Sequence, residues 1–245
     1  MTNATRGVVG CLFGLVGLSL GGPGPVEAQT ETAQTRPVAK ASPAPSLGVD
    51  LAVSRVYMRV RASGRLGHEH GIVGRLESGS IEWGGRGELV FAMRTFVADL
   101  PEARQYVGLT GSVSASDKKK TTDNMIGSDV LDAAKYPTAT YKITSSAPLD
   151  GQAAGAPGRY KLDGGFTLHG MTRALALVAK VEATAAPGEL RMTGSFPLVQ
   201  TQYGMRPYSA LGGLVGVADQ IDVWGDFVLK PVATASKPVG PAVAR

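Results

Sequence analysis

The chain has 245 residues, with 25 Lys and Arg against 20 Asp and Glu, three His and one Cys. A single cysteine excludes an intramolecular disulfide and a cysteine-based zinc or iron–sulfur cluster, because each needs at least two thiols. The formal net charge of +5 is spread along the chain, which is not the pattern of a nucleic-acid-binding protein, and we expect no nucleic-acid partner. The length is typical of one substantial domain with appendages.

The first segment, residues 1–28, has the features of an export signal. Arg6 precedes an apolar run from Gly7 to Gly21, and Val26-Glu27-Ala28 supplies small residues for cleavage. The run of about 15 residues is shorter than the roughly 20 that a membrane-spanning helix needs. We therefore expect cleavage after Ala28, no stable membrane anchor afterwards, and a periplasmic or secreted protein without cysteine.

Two segments flank the predicted domain. Residues 29–47 are rich in Thr, Ala, Pro and Ser and are predicted to be a flexible linker, and residues 231–245 have the same composition and are predicted to be a disordered tail. Residues 48–230 remain as one domain that is long enough to build a hydrophobic core.

Within that domain, apolar residues recur at every second position, which is the pattern of half-buried β-strands. The apolar stripes in chain order are Val56, Met58, Val60; Leu89, Phe91, Met93; Ala139, Tyr141, Ile143; Tyr160, Leu162, Phe166, Leu168; Leu175, Leu177, Ala179, Val181; Leu190, Met192, Phe196, Leu198; and Ile221, Val223, Phe227, Leu229. Residues 71–83 add a weaker strand. About eight strands joined by short glycine-containing turns predict an all-β, eight-stranded antiparallel β-barrel, which leaves no open sheet edge.

One short helix is predicted near residues 128–135. Ser128 is a suitable N-cap, residues 129–135 favour a helix, and Tyr136-Pro137 ends it. Its apolar side could flank the mouth of the barrel.

An eight-stranded barrel can either fill with side chains or hold one small ligand. Small residues at inward positions, namely Gly164, Ala179, Gly194 and Gly225, favour a cavity. The alternative is that the glycines only bend strands at barrel corners around a solid core.

Four motifs follow one another along residues 50–230. They are Gly67-His68-Glu69-His70-Gly71; residues 125–132 running into Lys135-Tyr136-Pro137; residues 164–173, which contain Leu168-His169-Gly170; and residues 204–207 with residues 217–221. In this order they resemble the YceI family of exported lipid- or polyisoprenoid-binding proteins. The family often has a small apolar or polar residue in place of one of the histidines in the first motif.

The resemblance implies a lipocalin-like barrel with a long apolar tunnel that binds an isoprenoid or similar lipid non-covalently in the periplasm, for transport, storage or protection. We expect one apolar stripe to line that tunnel: Val56, Met58, Val60, Leu89, Phe91, Met93, Tyr141, Phe166, Leu168, Leu175, Leu177, Phe196, Val223 and Phe227. The alternative is that these residues only pack against each other, and that a solid barrel engages an envelope partner through its surface.

The three histidines are the remaining candidates for ligand binding. His68 and His70, two apart on an extended segment, point to the same side, and with His169 they could converge on a divalent metal. The alternatives are histidines that hydrogen-bond a ligand around the pocket, or histidines without a special role. No Gly-x-Ser-x-Gly nucleophile elbow occurs. We therefore expect a binding protein without a cofactor and not an enzyme.

Overall fold

The computed structural model describes residues 46–232, which fold into one β-sheet with two short α-helices. The predicted signal peptide and most of the predicted linker and tail lie outside the described residues. The first strand begins at Ser46, inside the segment predicted to be a linker. No helix in the described range has the length and apolar character needed to cross a membrane.

The strands and helices are as follows. The strands are β1 (Ser46–Val49), β2 (Arg55–Ala62), β3 (His70–Glu82), β4 (Gly87–Ala98), β5 (Thr138–Pro148), β6 (Gly158–Leu168), β7 (Met171–Ala183), β8 (Leu190–Val199), β9 (Ser209–Ala210) and β10 (Val215–Pro231). The α-helices are α1 (Pro101–Tyr106) and α2 (Ala115–Ile126), and single 3₁₀ turns cover Gln200–Tyr203 and Leu211–Gly213.

Eight long strands form a closed antiparallel barrel, as the alternation predicts. Each strand from β2 to β8 pairs with the next, and β10 pairs with both β8 and β2. Short β1 pairs with the ends of β3 and β10, so it continues the wall beyond the start of β2. Closure matters because each long strand then has a paired neighbour on both sides and the sheet encloses one interior.

The interior is filled at one end and hollow at the other, because the inward stripes change in size along the barrel. In the filled half, beside β1, Trp83 packs on Tyr160 with ring centroids 4.4 Å apart, and Val181 and Leu229 are almost completely buried. In the hollow half, β7 and β8 carry Ala179 and Gly194 at inward positions. The hollow half is the end over which α2 lies, through its contact with β4.

The prediction of a helix near residues 128–135 is wrong. These residues form consecutive turns, in which Leu131 N donates to Met125 O and Ala133 N donates to Ile126 O. Turns bury Val130, Leu131 and Ala133 together, and this burial outweighs the modest helical propensity of so short a segment. The helix lies one segment earlier, where Ser114 Oγ accepts from Asp117 N and caps α2.

The pairing of β7 with β8 is short. It covers only Ala179–Ala183 of β7 against Leu190–Gly194 of β8. The earlier part of β7 pairs with β6 alone, while the later part of β8 pairs with β10 alone. Met171–Val178 of β7 and Ser195–Val199 of β8 therefore do not pair with each other, and we call the gap between these two segments the β7–β8 seam. Arg173 Nε reaches across to Gln202 O at 3.1 Å and ties the two sides at its end.

Gly164 serves strand packing and does not border the cavity. A Cβ at this position would lie 2.2 Å from the carbonyl oxygen of Lys142 on β5, so the prediction that Gly164 leaves room for a cavity is wrong, and glycine here permits the close approach of β5 to β6. At Gly165, the next residue, a Cβ would meet only the Thr172 methyl group, at 3.3 Å.

We expect Gly164→Ala to lower the free energy of unfolding by about 2 kcal/mol or more, because the backbone of β5 must move away from the new Cβ. Gly165→Ala is the matched control and should change it by no more than about 0.5 kcal/mol. Urea denaturation of both variants measures the difference. Equal effects would show that the close approach of β5 and β6 at Gly164 does not limit stability.

Candidate ligand-binding site

The hollow half of the barrel contains an apolar cavity of about 130 Å³. Among the side chains of residues 46–232 that border it, only those of Tyr141 and Gln200 contain an oxygen or a nitrogen atom. All the residues of the predicted apolar stripe border this cavity: Val56, Met58, Val60, Leu89, Phe91, Met93, Tyr141, Phe166, Leu168, Leu175, Leu177, Phe196, Val223 and Phe227. Their contact with a ligand stays a prediction.

Each inward stripe runs from the cavity into the filled half. Along β10, Phe227 borders the cavity while Leu229, two residues later, is part of the filled half. Along β7, Ala179 borders the cavity, while Val181, two residues later, is part of the filled half. Gly225 also contributes, because a Cβ there would lie 2.5 Å from the ring of Phe227. Glycine at this position lets the aromatic ring lie along the wall.

Several wall residues could not be identified from the strand pattern. Met125 comes from α2, Val130 and Leu131 come from the turns after it, and Met205 follows the 3₁₀ turn at Gln200–Tyr203. These segments cross the end of the barrel and have no period-two signal. Their only sequence signal was their place in the family motifs.

Methionine is concentrated in the wall. Five of the seven methionines in the chain border the cavity: Met58, Met93, Met125, Met192 and Met205. Methionine has three rotatable side-chain bonds and a polarizable sulfur, so it adapts its shape to an irregular apolar partner at small cost. This wall can therefore change shape more readily than one built of β-branched residues.

Tyr141 contributes its ring to the wall and keeps its hydroxyl away from a ligand. The hydroxyl donates to the backbone carbonyl oxygens of Leu162, at 3.0 Å, and Leu175, at 3.2 Å. Burial, together with the charge of Asp163, raises the pKa of Tyr141 to about 12. The group is therefore a neutral donor to the backbone at physiological pH, and the cavity remains apolar at this point.

A second space of about 220 Å³ adjoins the cavity, and we call it the polar chamber. Its polar wall consists of His68, His70, Asp117, Lys120, Thr121, Asn124 and Tyr208, with Gln200. Val60, Ile72, Met125, Val130 and Gln200 border both spaces. The cavity and the chamber are therefore adjacent and are separated by the side chains that they share. The apolar cavity lies inside the barrel, and the polar chamber lies at its end.

A buried carboxylate holds one wall of the chamber. Asp99 is fully buried directly after β4, with a positive φ of 55°. Its Oδ2 lies 2.6 Å from His70 Nδ1, and its Oδ1 accepts from Arg104 Nη1 at 2.9 Å and from Gly71 N at 3.1 Å. The ring of His68 lies with its centroid 4.4 Å from that of His70. One carboxylate thus fixes a histidine, an arginine and a strand end together.

The partners of Asp99 decide its protonation. Burial alone would raise the pKa of the carboxyl, but the hydrogen bond and the charge of His70, together with Arg104 and Gly71 N, outweigh it and lower the pKa below its usual value. Asp99 is therefore ionised at neutral pH, and its charge is balanced by Arg104.

His169 does not join the other two histidines, so the three-histidine metal site is wrong. His169 lies at the turn between β6 and β7, where its ring packs on Tyr136 with centroids 4.4 Å apart. The donor atoms that lie within 4.8 Å of one another belong to His68, His70 and Asp99. The signal missed in the sequence was Asp99, which follows a strand end 29 residues after His70.

We expect Asp99→Asn to lower the free energy of unfolding by about 3 kcal/mol at pH 7, because Arg104 and His70 lose a buried charged partner. Asp129→Asn, at an exposed position, is the control and should have little effect. Since the folded-state pKa of Asp99 is lowered, its stabilisation is complete above the unfolded pKa of about 3.9 and is lost as the pH falls through the folded pKa.

The gap between wild type and Asp99→Asn should therefore be wide at pH 7 and should narrow progressively as the pH falls below about 4. Urea denaturation as a function of pH measures it. A gap that stays constant down to pH 3 would contradict the ionised, buried carboxylate.

Comparison of the fold identifies similar solved structures. A polyisoprenoid-binding domain from Saccharophagus degradans, described as implicated in plant cell wall breakdown, has a TM-score of 0.52 at 13% identity, covering 77% of this chain and 99% of that one. BcnA from Burkholderia cenocepacia has a TM-score of 0.48 at 16% identity, covering 74% and 98%. The YceI protein of Campylobacter jejuni has a TM-score of 0.42 at 11% identity, covering 61% and 73%.

Sequence comparison agrees with the motifs. No curated protein matches the chain. The profile of the YceI-like domain matches residues 49–229, which is nearly the whole described range. With an eight-stranded barrel and an apolar interior already established, the chain belongs to the YceI-like family.

Proposed function

We propose that this protein is an exported carrier that binds one lipid with an apolar, isoprenoid-type tail inside the hollow half of the barrel. The observation that carries the proposal is the cavity itself, whose wall is apolar except for Tyr141 and Gln200. Both polar groups bond to backbone carbonyls, since Gln200 Nε2 donates to Ala218 O at 2.9 Å. The wall thus offers a tail apolar contact and few hydrogen bonds.

Burial of the tail supplies the binding free energy. Each buried CH₂ contributes about 0.8 kcal/mol, so one five-carbon isoprene unit contributes about 4 kcal/mol before the cost of ordering the tail. Binding of this kind requires a complementary apolar surface and the exclusion of water, and it requires no directional hydrogen bonds. It therefore depends on the size of the cavity more than on any single residue.

The cavity volume limits how much tail fits without rearrangement. A volume of about 130 Å³ is close to that of an engineered apolar cavity of about 150 Å³ that binds benzene, so about one isoprene unit fits as the side chains stand. A longer tail requires side chains to move towards the wall. The methionines, and the short pairing beside the β7–β8 seam, provide that freedom.

Two further observations support the proposal. In the comparisons, the Saccharophagus degradans domain that shares the fold is described as polyisoprenoid-binding, and the YceI-like family model matches residues 49–229 of this chain. Residues 1–28 have the charge, apolar run and small residues of an export signal, and we place the mature protein in the periplasm or outside the cell on that basis.

The rival functions have weaker support. A solid barrel that only engages an envelope partner does not account for an apolar cavity among inward glycines. Divalent-metal binding at His68, His70 and Asp99 has three donors within 4.8 Å. Asp99, however, already accepts three hydrogen bonds, from His70, Arg104 and Gly71, so three of its about four acceptor positions are used within the protein.

Filling the cavity should abolish lipid binding. A side chain at Gly194 would extend towards Leu177, whose Cδ1 lies 3.3 Å from the position of the added Cβ, so Gly194→Phe places a ring in the cavity. Ser195→Phe is the matched control, because Ser195 is exposed and neighbouring strand residues point to opposite faces. Gently purified protein is extracted with organic solvent and the extract is analysed by mass spectrometry.

Wild type and Ser195→Phe should each carry an apolar lipid, and Gly194→Phe should carry at least tenfold less. Melting curves of the three proteins check that each is folded. Absence of lipid from the wild type, together with no rise in its melting temperature on addition of a C20 isoprenoid, would contradict the proposed function.

A further inference from the structure

We propose that the polar chamber receives the head group of the bound lipid, and that it selects an uncharged head with a hydroxyl group that donates a hydrogen bond to His70 Nε2. This inference rests on the proposed function for the tail and adds the chemistry of the head. Four features of the described residues carry it: the orientation of His70, the rigidity of its support, its place above the cavity, and the charges around the chamber.

The orientation of His70 leaves one nitrogen for a ligand. His70 is only 9% exposed, and its Nδ1 lies 2.6 Å from the ionised Asp99 carboxylate. Nδ1 therefore donates its proton to this carboxylate, and in the tautomer that this hydrogen bond fixes, Nε2 is the acceptor. Nε2 has no hydrogen-bond partner within residues 46–232, and the ring borders the chamber. A ring nitrogen that faces the chamber without a protein partner is free to accept a hydrogen bond from the head of a ligand.

The support of His70 is rigid. Asp99 Oδ1 is held by Arg104 and by Gly71 N, and Arg104 in turn donates to the carbonyl oxygens of Thr110 and Gly111. Asp99 itself adopts a positive φ of 55°, a conformation that is unfavourable for most residues with a side chain. The fold retains this strained residue at the one place where its carboxylate orients His70, as is common at ligand-binding positions.

The position of His70 connects the chamber to the tail. His70 and Ile72 are two residues apart at the start of β3, so their side chains lie on the same face of the sheet. Ile72 borders the cavity, and His70 borders the chamber directly beyond it. A tail packed on Ile72 therefore brings the atoms at its polar end to His70.

The charges around the chamber favour an uncharged head. Lys120 is the cation among its lining residues, and it lies on α2 one turn from Asp117, which borders the same space. Nearby Arg59 is paired with Glu69 at 2.5 Å, and Arg104 is paired with Asp99. Among the residues that the structure describes, the chamber thus has no cluster of free cations of the kind that a phosphate head needs in order to replace its hydration.

The test compares three probes that share one C20 tail: geranylgeraniol, its methyl ether and geranylgeranyl phosphate. The alcohol can donate to His70 Nε2, the ether cannot, and the phosphate adds charge. Affinities are measured by fluorescence competition for wild type, His70→Asn and His169→Asn. In His70→Asn, the amide NH₂ can still donate to Asp99 near the position of Nδ1, but the variant has no atom in place of Nε2. His169→Asn is the control, because His169 packs on Tyr136 at a different turn of the barrel.

We expect wild type and His169→Asn to bind the alcohol about tenfold more tightly than the ether, the effect of one satisfied hydrogen bond. His70→Asn should bind both equally, at the affinity of the wild type for the ether. The phosphate should bind no more tightly than the alcohol. The comparison of alcohol with ether in wild type decides the proposal even if His70→Asn proves unstable.

Three outcomes would overturn the inference. Equal affinity of wild type for alcohol and ether would remove the role of His70 and leave tail binding intact. A phosphate bound tenfold more tightly than the alcohol would make the chamber an anion site, and stoichiometric zinc binding that His70→Asn abolishes would make it a metal site. Failure of all three probes to bind would refute the proposed function as well.

Discussion

The rest of the structure depends on one constraint of a closed sheet: the space that it encloses must be filled, either by its own inward side chains or by a ligand. Eight strands enclose a space in which every second side chain points inward, and that space either fills or stays hollow according to the size of those side chains. Here Trp83 and Tyr160 fill one half, while Ala179 and Gly194 leave the other half open. The filled half provides the stable core, and this stability allows the other half to remain underpacked.

The two spaces of the hollow half separate apolar from polar chemistry. The cavity is walled by strands, and its few polar side chains bond to the backbone. The polar chamber is built where strands end and where α2 crosses the barrel, and there His70 and Asp99 meet. This order, apolar inside and polar at the end, matches an amphipathic ligand that enters tail first. The adaptable methionines and the short β7–β8 pairing supply the freedom that a longer tail requires.

Much of the barrel could be predicted from the sequence because period-two alternation is a local signal. The stripes on β7 and β10, for example, are inward as predicted, and the cavity wall follows from them. The helix at residues 128–135 could not be excluded locally, since tertiary burial of Val130 and Leu131 decides that segment. The contact of His70 with Asp99 joins residues 29 apart, and the separation of His169 from them depends on which strands become neighbours.

The central claim is that lipid lies in the hollow half and not in the filled half or on the surface. Photolabelling tests it most directly: wild type is irradiated with a C20 isoprenoid alcohol that carries a diazirine in its tail, and the labelled peptides are sequenced by mass spectrometry. We expect labels on wall residues such as Met93, Phe166 and Met192, and we expect these labels to be lost when excess unlabelled alcohol competes. Labels confined to the outer surface, or labels on Val181 and Leu229 of the filled half, would contradict it.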